Sequence, residues 1–146
     1  MRIGFISGYS TERIAFMKRH GFGCVELAVG ADADFLPGHD GWESKAAAVK
    51  GAYDEAGIRI SCLAGFYVNH MDADAAVAKR NAEHVRNCIT LAKEIGVPVV
   101  GGFAGRVVDQ DLEASLPQFK TIWSEHASFA EDHGVKIAFE HCPMGR

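Results

Sequence analysis

The chain has 146 residues, of which 48% are hydrophobic and 23% charged, and a formal net charge of -4. This is enough for one domain with its own core, and the acidic balance argues against a nucleic-acid or membrane-surface partner, which needs a basic face. No apolar run approaches the roughly 20 residues that span a bilayer, and the apolar stretch at residues 3–7 is too short for a signal-peptide core, so the expectation is a cytoplasmic protein.

Residues 3–7 are the first predicted strand. Ser10 and Thr11 follow with hydroxyls able to cap a helix, which carries Ile14, Phe16 and Met17 and stops at Gly21. Residues 24–29 form the second strand, and a polar loop over 30–41 contains Pro37-Gly38. An Ala- and Lys-rich helix over 42–56 closes at Gly57. The third strand spans 58–66, a loop 67–74, and a long helix 75–95, with Val77, Val85, Ile89 and Leu91 facing inward. Residues 97–100 are the fourth strand, with Pro98 near its start, where a missing N–H is tolerated. Gly101-Gly102-Phe103-Ala104-Gly105-Arg106 reads as a loop. The fourth helix is predicted over 117–132 with Pro117 in its first turn, and His133-Gly134 stops it. Residues 135–139 are a fifth strand with Glu140 at its end.

Strands alternating with helices imply a parallel sheet, and near-continuous apolar strands imply that both faces are covered. An open doubly wound sheet should carry a Gly-rich turn after its first strand. The turn here, Ser7-Gly8-Tyr9-Ser10-Thr11, lacks the G-x-G-x-x-G pattern. A barrel places its chemistry at the C-terminal ends of several strands. Those ends hold Ser7-Gly8, Glu26, Gly65-Phe66, Gly101-Gly102 and Glu140-His141, which suit a barrel mouth better.

Glu140 is therefore a site carboxylate or a solvated strand-end residue. Glu26 interrupts an apolar run, where a lone carboxylate is costly unless paired or hydrated; it is a substrate contact or a structural hydrogen-bond partner. His70 is a substrate contact or a polar loop residue. Arg106 beside the Gly-rich loop offers a countercharge to a phosphate. Phe66 and Phe103 offer an apolar wall to a substrate. His84, His126 and His133 fit solvated or capping roles, and Trp42 and Trp123 fit packing against the sheet. Cys24, Cys62, Cys88 and Cys142 are far apart without a C-x-x-C pair, which reads as reduced thiols.

The segment Gly134-Val135-Lys136-Ile137-Ala138-Phe139-Glu140-His141-Cys142-Pro143-Met144 resembles the fifth strand of the xylose isomerase-like barrels, within them the sugar phosphate isomerase/epimerase group. Gly23-Cys24-Val25-Glu26-Leu27 and Leu91-Ala92-Lys93-Glu94-Ile95-Gly96-Val97 support it in order and spacing. The resemblance implies that residues 1–146 are the N-terminal portion of a (β/α)8 TIM barrel, about four β/α units plus the fifth strand. It implies a small-molecule sugar substrate and a divalent metal, Mn, Mg or Co, acting as a Lewis acid while carboxylates move a proton next to a carbonyl. Glu140 matches the family's metal-ligating and acid/base Glu. His141 departs from the usual Asn. The remaining Asp, His and Glu ligands are expected from strands beyond Arg146, so this chain alone is expected not to hold the metal tightly. Related alternatives are a polyol dehydratase of the same fold and a non-catalytic half-barrel that self-associates as a homo-oligomer through unpaired edges. The nuclease branch is disfavoured because Gly65-Phe66 and Gly101-Gly102 stand where it carries His ligands.

Overall fold

A computed structural model describes residues 1–140 and, within them, every side chain but that of Phe66. Among these residues five strands, β1 (Gly4–Gly8), β2 (Cys24–Ala28), β3 (Arg59–Phe66), β4 (Val99–Gly102) and β5 (Lys136–Phe139), alternate with four helices, α1 (Thr11–Arg19), α2 (Trp42–Glu55), α3 (Ala75–Glu94) and α4 (Leu112–Asp132). The strands pair in parallel and lie in sequence order, β1-β2-β3-β4-β5. An order that never reverses is the sheet of a barrel, not of a doubly wound fold. The chain is thus the α/β N-terminal part of a TIM barrel.

Short polar side chains start α1, α3 and α4, whereas α2 follows Gly41 without a side-chain cap. Ser10 accepts from the Arg13 amide at 3.2 Å, and Asp74 accepts from those of Ala76 and Val77 at 2.8 and 3.2 Å. Such caps satisfy amides that have no partner within the helix. Gly21 and Gly134 end the first and last helices at φ +72° and +67°, a left-handed conformation that costs glycine least.

Alternation along the strands separates two faces. Val25, Leu27, Leu63 and Val100 are fully buried and join Met17, Val85, Ile89 and Leu91 in the core under the helices. Glu26 and Cys62, each next to one of these in sequence, lie half-buried on the other, open face.

Two expectations need correction. The fourth helix begins at Leu112, not at 117, because Asp111 caps it by accepting from the Ala114 amide at 2.7 Å. Pro117 then sits in the second turn, where its missing N–H forfeits one helical bond. Gly101 and Gly102 belong to β4, paired with Ala138 and Phe139, rather than to a loop. The strand starts late because Pro98 has no N–H to donate, although its carbonyl accepts from the Lys136 amide at 2.9 Å.

Leu63, at the centre of β3 and 0% exposed, tests this core. Leu63→Ala should cost about 2–5 kcal/mol through lost burial and an unfilled cavity, read as a lower urea midpoint with an unchanged slope.

Candidate active site

The open face is where β2 and β5 deliver carboxylates. On β2, Val25 and Leu27 point into the core, so Glu26 points away from it, flanked in register by Ile6 of β1 and Cys62 of β3. On β5, the Phe139 ring packs against Trp123 and Phe119 of α4, with centroids 4.5 and 6.0 Å apart. Alternation then turns Glu140, the next residue, toward the open face. The Glu140 amide donates to the Gly102 carbonyl at 2.9 Å, which extends the pairing with β4 by one residue.

Tyr67, directly after β3, donates its hydroxyl to Glu140 Oε1 at 2.7 Å. Its ring meets Phe103, just past β4, edge-to-face at 4.8 Å. Gly101 makes room between these parts. A Cβ there would come within 3.1 Å of Cys62 Sγ and 3.7 Å of Glu26 Oε1.

The groups shift one another as neighbours should. Burial raises the Glu26 carboxyl above its ordinary range, and the charge of Glu140 adds to the shift. Burial pushes the Cys62 thiol up to about 11, with further contributions from Glu26 and Glu140. Burial and then the bond to Glu140 also raise the Tyr67 phenol. A like charge on the same partly desolvated face favours the protonated form of Glu26.

Glu140 is a hard oxygen donor of the kind a divalent ion takes, and Tyr67 fixes one of its oxygens. Such an ion wants about six ligands, and among the described residues no group of three His, Cys, Asp or Glu side chains converges on one point. The described residues thus fit as a contributor of one ligand, not as a closed coordination sphere.

The other predicted site residues scatter. Phe103 is half-buried against Tyr67, whereas the Phe66 side chain lies outside the described part. His70 is enclosed rather than open to solvent. It is 1% exposed, with its Nε2 on the Ala104 carbonyl at 3.1 Å and its ring 4.6 Å from Trp123. Arg106 lines a cavity of about 370 Å³ together with Met71, Leu112, Leu116 and Phe119, and neither carboxylate borders it. The structure therefore does not bring Arg106 to Glu26 and Glu140. His84 and His126 are 5% and 2% exposed, not solvated, because α3 and α4 turn them toward the interior. His133 caps α4, its Nδ1 donating to the Phe129 carbonyl at 2.7 Å. Trp123 is buried and Trp42 packs on the core. Cys24, Cys62 and Cys88 are free thiols; His141 and Cys142 lie outside the described residues. Sequence reasoning missed Tyr67, whose signal was its place immediately after a strand that ends at the barrel mouth.

The chain belongs to the xylose isomerase-like TIM barrel family, whose model matches residues 14–146. Among solved structures it is similar to a D-tagatose 3-epimerase-like protein at 20% identity and TM-score 0.77, covering 99% of this chain and 55% of that one. It is similar to a xylose isomerase domain protein from Planctomyces limnophilus at 13% identity and TM-score 0.75, covering 98% and 55%. A D-psicose 3-epimerase with D-tagatose from Clostridium cellulolyticum H10 matches at 17% identity and TM-score 0.69, covering 94% and 51%. The chain thus spans about half the length of these structures, and at such identities the likeness is one of fold. No curated protein matches it.

The electrostatics of the open face can be read at Cys62. With its thiol near 11, it holds on the order of a hundredfold less thiolate at pH 8 than an ordinary cysteine. Peptide-resolved alkylation should find it slow, and Glu26→Gln, which removes one of the raising charges, should speed it. Labelling of Cys62 at the rate of a free thiol in both proteins would contradict the geometry.

Proposed function

We propose that this chain contributes the N-terminal half of a sugar isomerase or epimerase that moves a proton on the carbon next to a carbonyl. The observation that carries this reading is the pairing of Glu140 with Tyr67 on the same open face as Glu26. Sugar epimerases among the structural neighbours support a sugar as the substrate, and the sequence resemblance extends the proposal to a sugar phosphate. A metal belongs to the proposal: Mn, Mg or Co, when bound, supplies Lewis-acid stabilisation of an enediolate, and Glu140 is the ligand this chain would offer.

In this reading Glu140 moves the proton on one face of that carbon, and a second carboxylate serves the opposite face. A carboxylate can do so only if it is aimed, and the Tyr67 hydroxyl, at 2.7 Å, aims it. Glu26, half-buried on the same face, is placed to hydrogen-bond a sugar hydroxyl. Phe103 and the Tyr67 ring cover an apolar face of the sugar and exclude water from the proton's path. The remaining ligands and the second carboxylate of the reaction are proposed to come from the sixth to eighth strands of a complete barrel.

Two measurements test this. Calorimetry with manganese on the 146-residue chain should give no binding tighter than micromolar; tight binding lost in Glu140→Gln would mean that this half holds a site of its own. A barrel completed through its eighth strand should epimerise or isomerise sugars in a metal-dependent way. There Glu140→Gln should lower kcat by at least about a hundredfold. Full activity in that variant would remove Glu140 from the chemistry.

A further inference from the structure

Behind the Tyr67–Phe103 wall lies a second cluster. His126 of α4 is 2% exposed, and neither of its ring nitrogens has a hydrogen-bond partner. Its ring lies 5.4 Å from that of Trp123 on the same helix and 5.7 Å from that of His70 in the β3–α3 connection. From α3, Arg86 turns positive charge toward it. On α4 itself, Glu125 lies 4.0 Å from Arg86.

The two connections that meet here are tied to each other. The Ala104 carbonyl, after β4, accepts from His70 Nε2 at 3.1 Å and from Trp123 Nε1 at 2.8 Å. Because a carbonyl only accepts, His70 carries its proton on Nε2. Asn69 Oδ1 accepts from the Met71 amide of its own connection at 3.2 Å and from the Arg106 amide of the other at 3.1 Å. Asn81 of α3 anchors the arrangement by donating to the Asn69 carbonyl at 2.8 Å. The same two connections carry Tyr67 and Phe103 at their starts.

We propose that His126 is an acid-triggered latch: neutral, it lets the β3–α3 and β4–α4 connections close on α4, and its protonation releases them.

The physical case rests on what the pocket offers a charge. A buried imidazolium without an acceptor is costly, and Arg86 adds repulsion. Burial first, then His70 and Arg86, hold His126 down from 6.5 to about 4. The sign follows. A histidine whose folded form resists protonation contributes stability that is present above 6.5 and is lost as pH falls toward 4, because the open form takes the proton more readily. His70 is also lowered by burial and its Nδ1 is unpartnered too, but the Ala104 and Val68 backbone favours its protonated form. His126 has no acceptor at either nitrogen, so the trigger is His126. The inference does not depend on the proposed sugar chemistry.

Amide hydrogen exchange on the intact chain at pH 7 and pH 5, corrected for intrinsic rates, is the test. The Met71 and Arg106 amides should lose about tenfold protection at pH 5, while strand amides such as Leu63 keep theirs. In His126→Phe, which cannot charge, the loss should vanish. Equal protection of the connections at both pH values, the same loss in His126→Phe, or loss by strands and connections together would each overturn the latch. If His126→Phe does not fold, the wild-type imidazole signals decide. His126 should titrate well below 6.5, together with shifts of the Met71 and Arg106 amides. Titration at an ordinary histidine value without those shifts would overturn it.

Discussion

Parallel strand crossovers keep one hand, so strands that pair in sequence order place all their helices on one side of the sheet. That constraint organises the rest of the molecule. It directs Val25, Leu27, Leu63 and Val100 into a core under the helices and leaves the alternate positions, Glu26 and Cys62, on a face that none of the described helices covers. It also brings residues far apart in sequence to one edge. Tyr67 and Glu140 are separated by 73 positions, yet the β3-β4-β5 pairing sets them a hydrogen bond apart.

The same arrangement explains the electrostatics. Burying a carboxylate on a partly desolvated face is unfavourable, and placing a second one beside it is more so. Glu26 bears both penalties, and Cys62 between the strands bears their consequence in a raised thiol. A fold selected for stability alone has no need of acidic groups there; an apolar residue at position 26 would pack against Ile6 and Cys62 without penalty. The strain is local, and the well-packed helix side of the sheet supports it.

Much of this was legible in the sequence. Apolar runs bounded by glycines marked each strand and helix stop, and the carboxylate after residues 135–139 marked the mouth, because both signals are local. What was not legible depends on distant partners. The start of α4 turned on Asp111 reaching the Ala114 amide, a cap that the conspicuous Pro117 concealed. Gly101 and Gly102 read as a loop because nothing near them in sequence shows that β5 pairs alongside. His70 read as a substrate contact or polar loop residue and His126 as a solvated or capping one, but burial is decided by how α3, α4 and two connections close around them. Arg106 read as a phosphate countercharge beside the Gly-rich loop, and the structure places it on a cavity with Leu112, Leu116 and Phe119.

The central claim is that Glu26 and Glu140 share one face closely enough to feel each other. Side-chain carbon NMR titration of Glu26, in the wild type and in Glu140→Gln, addresses it most directly. The account predicts a Glu26 carboxyl above its ordinary 4.5 in the wild type, lowered part of the way in the variant because burial remains after the charge is gone. A Glu26 that titrates at its ordinary value, or that does not respond to Glu140→Gln, would contradict it.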